Sequence, residues 1–260
     1  LNRLTNILSG GTIAATANWT ASVPLTLTNI NGDLTVQAAD VNTTPFNITL
    51  SGGLSGAAGL IKTGGGILAL SGTNNYSGTT TVENGQLTVS TLGATSIGAV
   101  GLTNSGTTLS TVLAASGQTW TNTSLVITNG NTVDFNFGGF QLSPSVPVIQ
   151  VTGDLTLDSS DVCTIEGSAI LTGTYPLMTC TGTLTLTGGA TLPTITSLPS
   201  GVVATLTQSG KTINLVVSSS PNSIIKWGPL ASGPWDFSTP DWVNAGSLSA
   251  VAYTDGIAVS

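Results

Sequence analysis

Few residues in this chain could do chemistry, and most of them are acidic. The densest group is Asp154, Asp158, Asp161 and Glu166, with Asp158 and Asp161 flanking Ser159-Ser160. Clustered carboxylates can serve as general acid and base on a sugar substrate, and hard oxygen ligands suit Ca2+. Asp154, Asp158 and Asp161 are therefore a Ca2+ candidate, set against the plainer reading of a solvated turn. A lyase would need a base beside them, yet the only arginine is Arg3 and the lysines are Lys62, Lys211 and Lys226. The chain has no histidine, which excludes histidine-dependent triads and His-bound zinc. The run Gly64-Gly65-Gly66 lacks the strand-to-helix context that a phosphate cradle requires. Neither catalytic residues nor a cofactor are expected, and the chain reads as a non-enzyme.

Cys163 and Cys180 are the only cysteines. If they stack in adjacent strands they lie near 4.8 Å, close enough to bridge. Stacked side chains of parallel strands point the same way, however, which favours two free buried thiols. The pair is carried as a disulfide candidate. Trp227, Trp235 and Trp242 crowd the C-terminal segment and are the best candidates for interaction, because an exposed indole can stack on a sugar ring or dock into a partner. The alternative is that the three pack together as a cap.

Charged residues make up 6% of the chain, far below a typical ~25%. With a net charge of −7, nucleic acid is a poor partner, since phosphate binding needs clustered Lys and Arg. No apolar run reaches the ~18 residues of a membrane-spanning helix. The first residues, LNRLTNILSGG, are too broken to be a secretory signal, so either a signal has been removed or the chain is a fragment. Five Asn-x-Ser/Thr sequons, at Asn18, Asn42, Asn47, Asn75 and Asn122, gain meaning only in a glycosylating secretory route.

The elements that must position these residues are short strands. In Gly59–Val89, Leu68 and Leu70 share one face of a strand, as do Thr80 with Val82 and Leu87 with Val89. Glycine and asparagine bound each run, at Gly64–Gly66, Asn74-Asn75 and Asn84-Gly85. Segments this short bury an apolar face only when similar segments stack above and below, the logic of a solenoid. Gly-x-Leu-Thr-(Val or Leu) recurs at Gly32, Gly85, Gly153 and Gly182. No segment has a 3.6-residue apolar period, so little or no helix is expected. The alternative fold is an antiparallel β-sandwich, because the pairs at Asn31, Asn84 and Asn129 are hairpin signals. Phe135, Phe137 and Phe140, like Trp19 and Phe46, read as packing residues.

Residues 59–89 also resemble the autotransporter-associated β-strand repeat of bacterial passenger proteins. Gly59, Leu60, Lys62, Gly64, Gly66, Leu68, Leu70, Ser71, Gly72, Asn74, Tyr76, Gly78, Thr80, Val82, Gly85 and Leu87 carry the likeness. The resemblance implies a right-handed parallel β-helix, an extracellular or cell-surface location, and no catalytic residues. The segment around Trp235, Asp236, Thr239, Trp242, Tyr253, Asp255 and Gly256 resembles the start of a further unit in such proteins. The expected organisation is a β-solenoid over 1–220 and a Trp-rich segment over 221–260. The expected function is a secreted structural protein that assembles with copies of itself into filaments or a surface layer. The alternative is an adhesin or carbohydrate-binding passenger region that uses the tryptophans on glycans.

Overall fold

The computed structural model describes residues 6–92, 96–189 and 191–221, with the backbone of three short strands at Ile225–Trp227, Trp242–Asn244 and Ala250–Val251. Among the described residues every regular element is a strand. Two eight-stranded sheets, both wholly parallel, define two faces of a β-solenoid. The first face starts at Thr12–Ala14 and ends at Leu184–Thr187, and the second starts at Trp19–Ala21 and ends at Thr194–Ser197. A third face is shared by a three-stranded sheet near the N-terminus and a six-stranded sheet beyond it. Around residues 75–77 the two are bridged by backbone bonds rather than by a strand. Ser77 donates to Gly56 and Gly98 donates to the Tyr76 carbonyl.

Alternation puts one set of side chains inside, where register stacks like on like. Ile48, Leu68, Leu87, Leu109 and Val133 follow one another up the second face, and all are 0% exposed. Such ladders hold the fold together. At about 25 cal/mol per Å2 of apolar surface removed from water, they outweigh what any single turn contributes. Leu60 to Thr80 and Thr80 to Val100 are steps of 20 residues, whereas Leu125 to Leu155 takes 30. The extra residues go into corner loops, so the ladder keeps its register. Eight strands per face spaced by about 4.8 Å give a ladder roughly 34 Å tall. A uniform rung of 20–25 residues over the whole chain would predict roughly 50 Å. The longer upper rungs account for part of the difference.

The parallel pairing overturns the sandwich alternative and explains why it was tempting. Asn129 and Gly130 both take left-handed φ, 69° and 75°, as a two-residue hairpin turn demands. Yet the flanking strands Leu125–Ile127 and Thr132–Asn136 lie in different sheets. The turn makes a corner of the solenoid, not a hairpin. Hairpin geometry does occur at the upper end, where Val203–Ser209 and Thr212–Ser219 pair antiparallel with each other. The second of these also pairs antiparallel with Gly173–Cys180, adding two strands to the third face. The register of that contact shifts between Pro176 and Met178, beside a proline that cannot donate to the ladder. Residues 168–172 carry no regular strand.

Candidate functional site

The most unusual side chain is Lys62. Its strand Leu60–Thr63 alternates inward and outward, and Lys62 falls on an inward position between Val36 and Val82. It is 0% exposed. The ammonium turns to the corner and donates to three backbone carbonyls, Thr63 at 3.0 Å, Gly64 at 2.7 Å and Asn84 at 2.8 Å. Burial pulls its pKa down from 10.5 to about 8, so it remains charged near neutrality. The corner carbonyls of two successive rungs are thereby tied to one cation. Backbone carbonyls left unpaired in such a place would each cost about 1–3 kcal/mol.

The next corner is held by amides and hydroxyls. Asn74 accepts from the Leu54 amide at 3.0 Å and donates to the Gly72 carbonyl at 2.8 Å. Tyr76 and Thr80 share a hydrogen bond of 2.6 Å inside the core, and burial pushes the Tyr76 phenol well above its usual range. Within residues 60–89, Lys62, Asn74, Tyr76 and Thr80 thus face inward and close the corners of their own rungs.

Residues 60–89 match the Passenger-associated-transport-repeat family. No curated protein matches the chain. The match agrees with the resemblance seen in the sequence, and the structure gives it a physical content. Leu60, Lys62, Leu68, Tyr76, Thr80, Val82 and Leu87, all positions of the repeat pattern, are each 0% exposed. In this chain the inward positions of the repeat build stacked rungs. A repeat of this kind points to an autotransporter passenger domain, secreted or exposed at the cell surface.

The acidic candidates are put to structural use. Asp161, 0% exposed, accepts from the amides of Asn131 at 3.0 Å and Asp158 at 2.8 Å. Asn131 in turn accepts from the Thr107 amide at 2.9 Å, so Thr107, Asn131 and Asp161 form a ladder up one corner. Burial raises the Asp161 pKa, partly offset by those two amides. Asp158 is lowered by hydrogen bonds from Ser160 and Thr187, and Asp154 accepts from the Thr183 amide at 2.6 Å. No group of three or more possible metal-binding side chains occurs among the described residues. Asp158 and Asp161 thus belong to one turn, and Asp154 holds another contact in the neighbouring rung.

The disulfide candidate is corrected. Cys163 lies on the second face over Val133, while Cys180 lies on the third face over Val151. Both are free and buried, because a separation of 17 residues carries the chain to another face instead of round a full rung. Burial pushes the Cys163 thiol up to about 12 and also raises Cys180. The backbones of Trp227 and Trp242 are register partners in an antiparallel pair, and Trp235 lies outside the described residues. Phe135 and Phe137 are buried as expected, whereas Phe140 is 41% exposed.

The two ends of the solenoid present the remaining feature of note. Among the described residues, strands Thr12–Ala14 and Trp19–Ala21 at one end, and Leu184–Thr187 and Thr194–Ser197 at the other, each have one neighbour in their sheet. Their sequences, TIA, WTA, LTLT and TITS, contain no charge. Ile13 and Trp19 at the lower end, and Leu184, Leu186 and Ile195 at the upper, are only partly buried against the core.

Proposed function

We propose that this chain is a non-enzymatic structural part of a surface-displayed or secreted passenger, and that copies of it join end to end. The observation that carries this reading is the uncharged edge at each end of the first and second faces. Edges of soluble sheets are normally guarded by lysine, proline or inward charge. These edges carry half-exposed apolar residues instead. A copy stacked with its Thr12–Ala14 over Leu184–Thr187, and its Trp19–Ala21 over Thr194–Ser197, would continue both ladders. Such a contact joins unlike surfaces and need not close, so it yields filaments. The absence of histidine and the structural use of Asp154, Asp158 and Asp161 support a role without catalysis.

The test is sedimentation velocity on the purified chain, with Ile13→Lys and Ile195→Lys as guards at the two ends. Concentration-dependent polymers are expected for the unsubstituted chain, with each variant shifted to shorter species while its circular dichroism is unchanged. A monomer at every concentration would refute self-assembly. Polymers insensitive to both substitutions would refute the ends as the contact.

A further inference from the structure

The corner between the first and second faces changes size abruptly from rung to rung. In one rung it carries a loop, residues 40–45, closed by an Ala39–Pro45 bridge. The Asp40 carboxylate fixes the loop by accepting from the Asn42 and Thr44 amides, each at 2.8 Å. In the next rung the corner is bare, only Gly64-Gly65-Gly66. Loop and bare corner enclose an open cleft of about 450 Å3, lined by Gln37, Thr43, Pro45, Thr63, Gly65 and Asn84. Small-molecule sites fall at roughly 300–1,000 Å3.

Two features of the cleft bear on binding. The first is Gly65. Gly64 has φ +74°, and a Cβ there would lie 2.8 Å from the Ala38 carbonyl carbon; at Gly66 it would strike the Phe46 carbonyl. At Gly65 the backbone is not left-handed, and a Cβ would meet only the Pro45 Cβ, at 3.7 Å. The repeat pattern likewise calls for glycine at 64 and 66 and leaves 65 open. The missing side chain at 65 keeps the cleft floor clear. The second is Thr43, a β-branched residue held at φ 66° on the rim, a strained conformation that concentrates at binding sites.

The lining dictates the ligand. None of the lining side chains is charged, and the Lys62 ammonium beneath is already taken by its three carbonyls. Thr43, Thr63 and Asn84 offer two hydroxyls and a carboxamide, and Ala39 and Pro45 offer a small apolar wall. Neutral donors and acceptors beside an apolar wall suit a ligand with many hydroxyls and a C–H face. We propose that this cleft binds a neutral saccharide, held by the side chains of Asn84, Thr43 and Thr63 over the bare backbone of Gly65. The proposal is independent of self-assembly and of the C-terminal tryptophans.

The experiment is saturation-transfer NMR on the full chain with lactose, maltose, cellobiose and chitobiose as neutral probes and digalacturonate as a charged one. Gly65→Trp fills the cleft without backbone strain, and Asn84→Ala removes one hydrogen-bonding group. Transfer to at least one neutral disaccharide is expected, lost in Gly65→Trp with circular dichroism intact, and weakened several-fold in Asn84→Ala. If Gly65→Trp alters the fold, Asn84→Ala together with Thr63→Val decides the matter. No transfer to any neutral probe overturns the proposal. So does transfer that survives the cleft variants, or transfer to digalacturonate alone.

Discussion

Lys62 shows how one residue can work against the rule of its own ladder. A charged group in an apolar column is costly to desolvate, and its lowered pKa of about 8 records that cost. Three carbonyls nevertheless depend on it. Replacing it by Met should lower the unfolding free energy by about 1–3 kcal/mol, since acceptors left unpaired cost more than the charge relieved. Chemical denaturation measures this. The sign of the pH dependence follows from linkage. Because the folded pKa lies below the ordinary 10.5, this group's contribution is fully present above 10.5 and is lost as pH falls through about 8. Stability should therefore rise from pH 8 to 10.5 more steeply in the unsubstituted chain than in Lys62→Met. Cys163 acts in the opposite direction. Its thiol is raised from 9.0 to about 12, so its contribution is present below 9 and is lost as pH rises toward 12. Both thiols should resist iodoacetamide in the folded protein. Both should react without added reductant once it is unfolded, as intact mass would show. A bridged pair would show no uptake.

At the scale of elements, the strands were legible in the sequence and their partners were not. Leu68 with Leu70 and Leu87 with Val89 announced inward faces by alternation, and those residues are the core. What alternation cannot express is the direction of the neighbouring strand. Asn129-Gly130 carries the same local preference for left-handed φ whether it closes a hairpin or turns a corner. The Cys163–Cys180 spacing misled for a related reason, since rungs of 20 to 30 residues leave no fixed offset at which side chains stack. Lys62 was visible as a lysine on the inward side of an alternating run, which was the available signal for its role. The cleft left no trace in composition, because it arises from a loop in one rung meeting bare glycines in the next. The corner yields a paired prediction. Gly66→Ala should destabilise by more than about 2 kcal/mol, since its Cβ collides with backbone. Gly65→Ala should be neutral or stabilising by up to about 1 kcal/mol. Thermal unfolding of the two variants would distinguish them, and equal losses would mean that the corner is built differently.

For the whole molecule, stability is nearly one-dimensional, because each rung touches only the rungs above and below. A cavity in the middle should therefore weaken its own rung and the contacts with the rungs on either side. Leu68→Ala, at a site 0% exposed, should cost about 2–5 kcal/mol. The same logic makes the ends the weakest parts of the rod, with the third face at the upper end lengthened by the antiparallel pair Val203–Ser209 and Thr212–Ser219. On the proposed function, the uncharged ends of the first and second faces let one solenoid continue into the next. Electron microscopy of the purified chain, with fibre diffraction on the same sample, tests it most directly. Unbranched filaments with an axial reflection near 4.8 Å are expected, shortened by Ile13→Lys or Ile195→Lys. Single rods roughly 34 Å long that never associate, at any protein concentration, would contradict it.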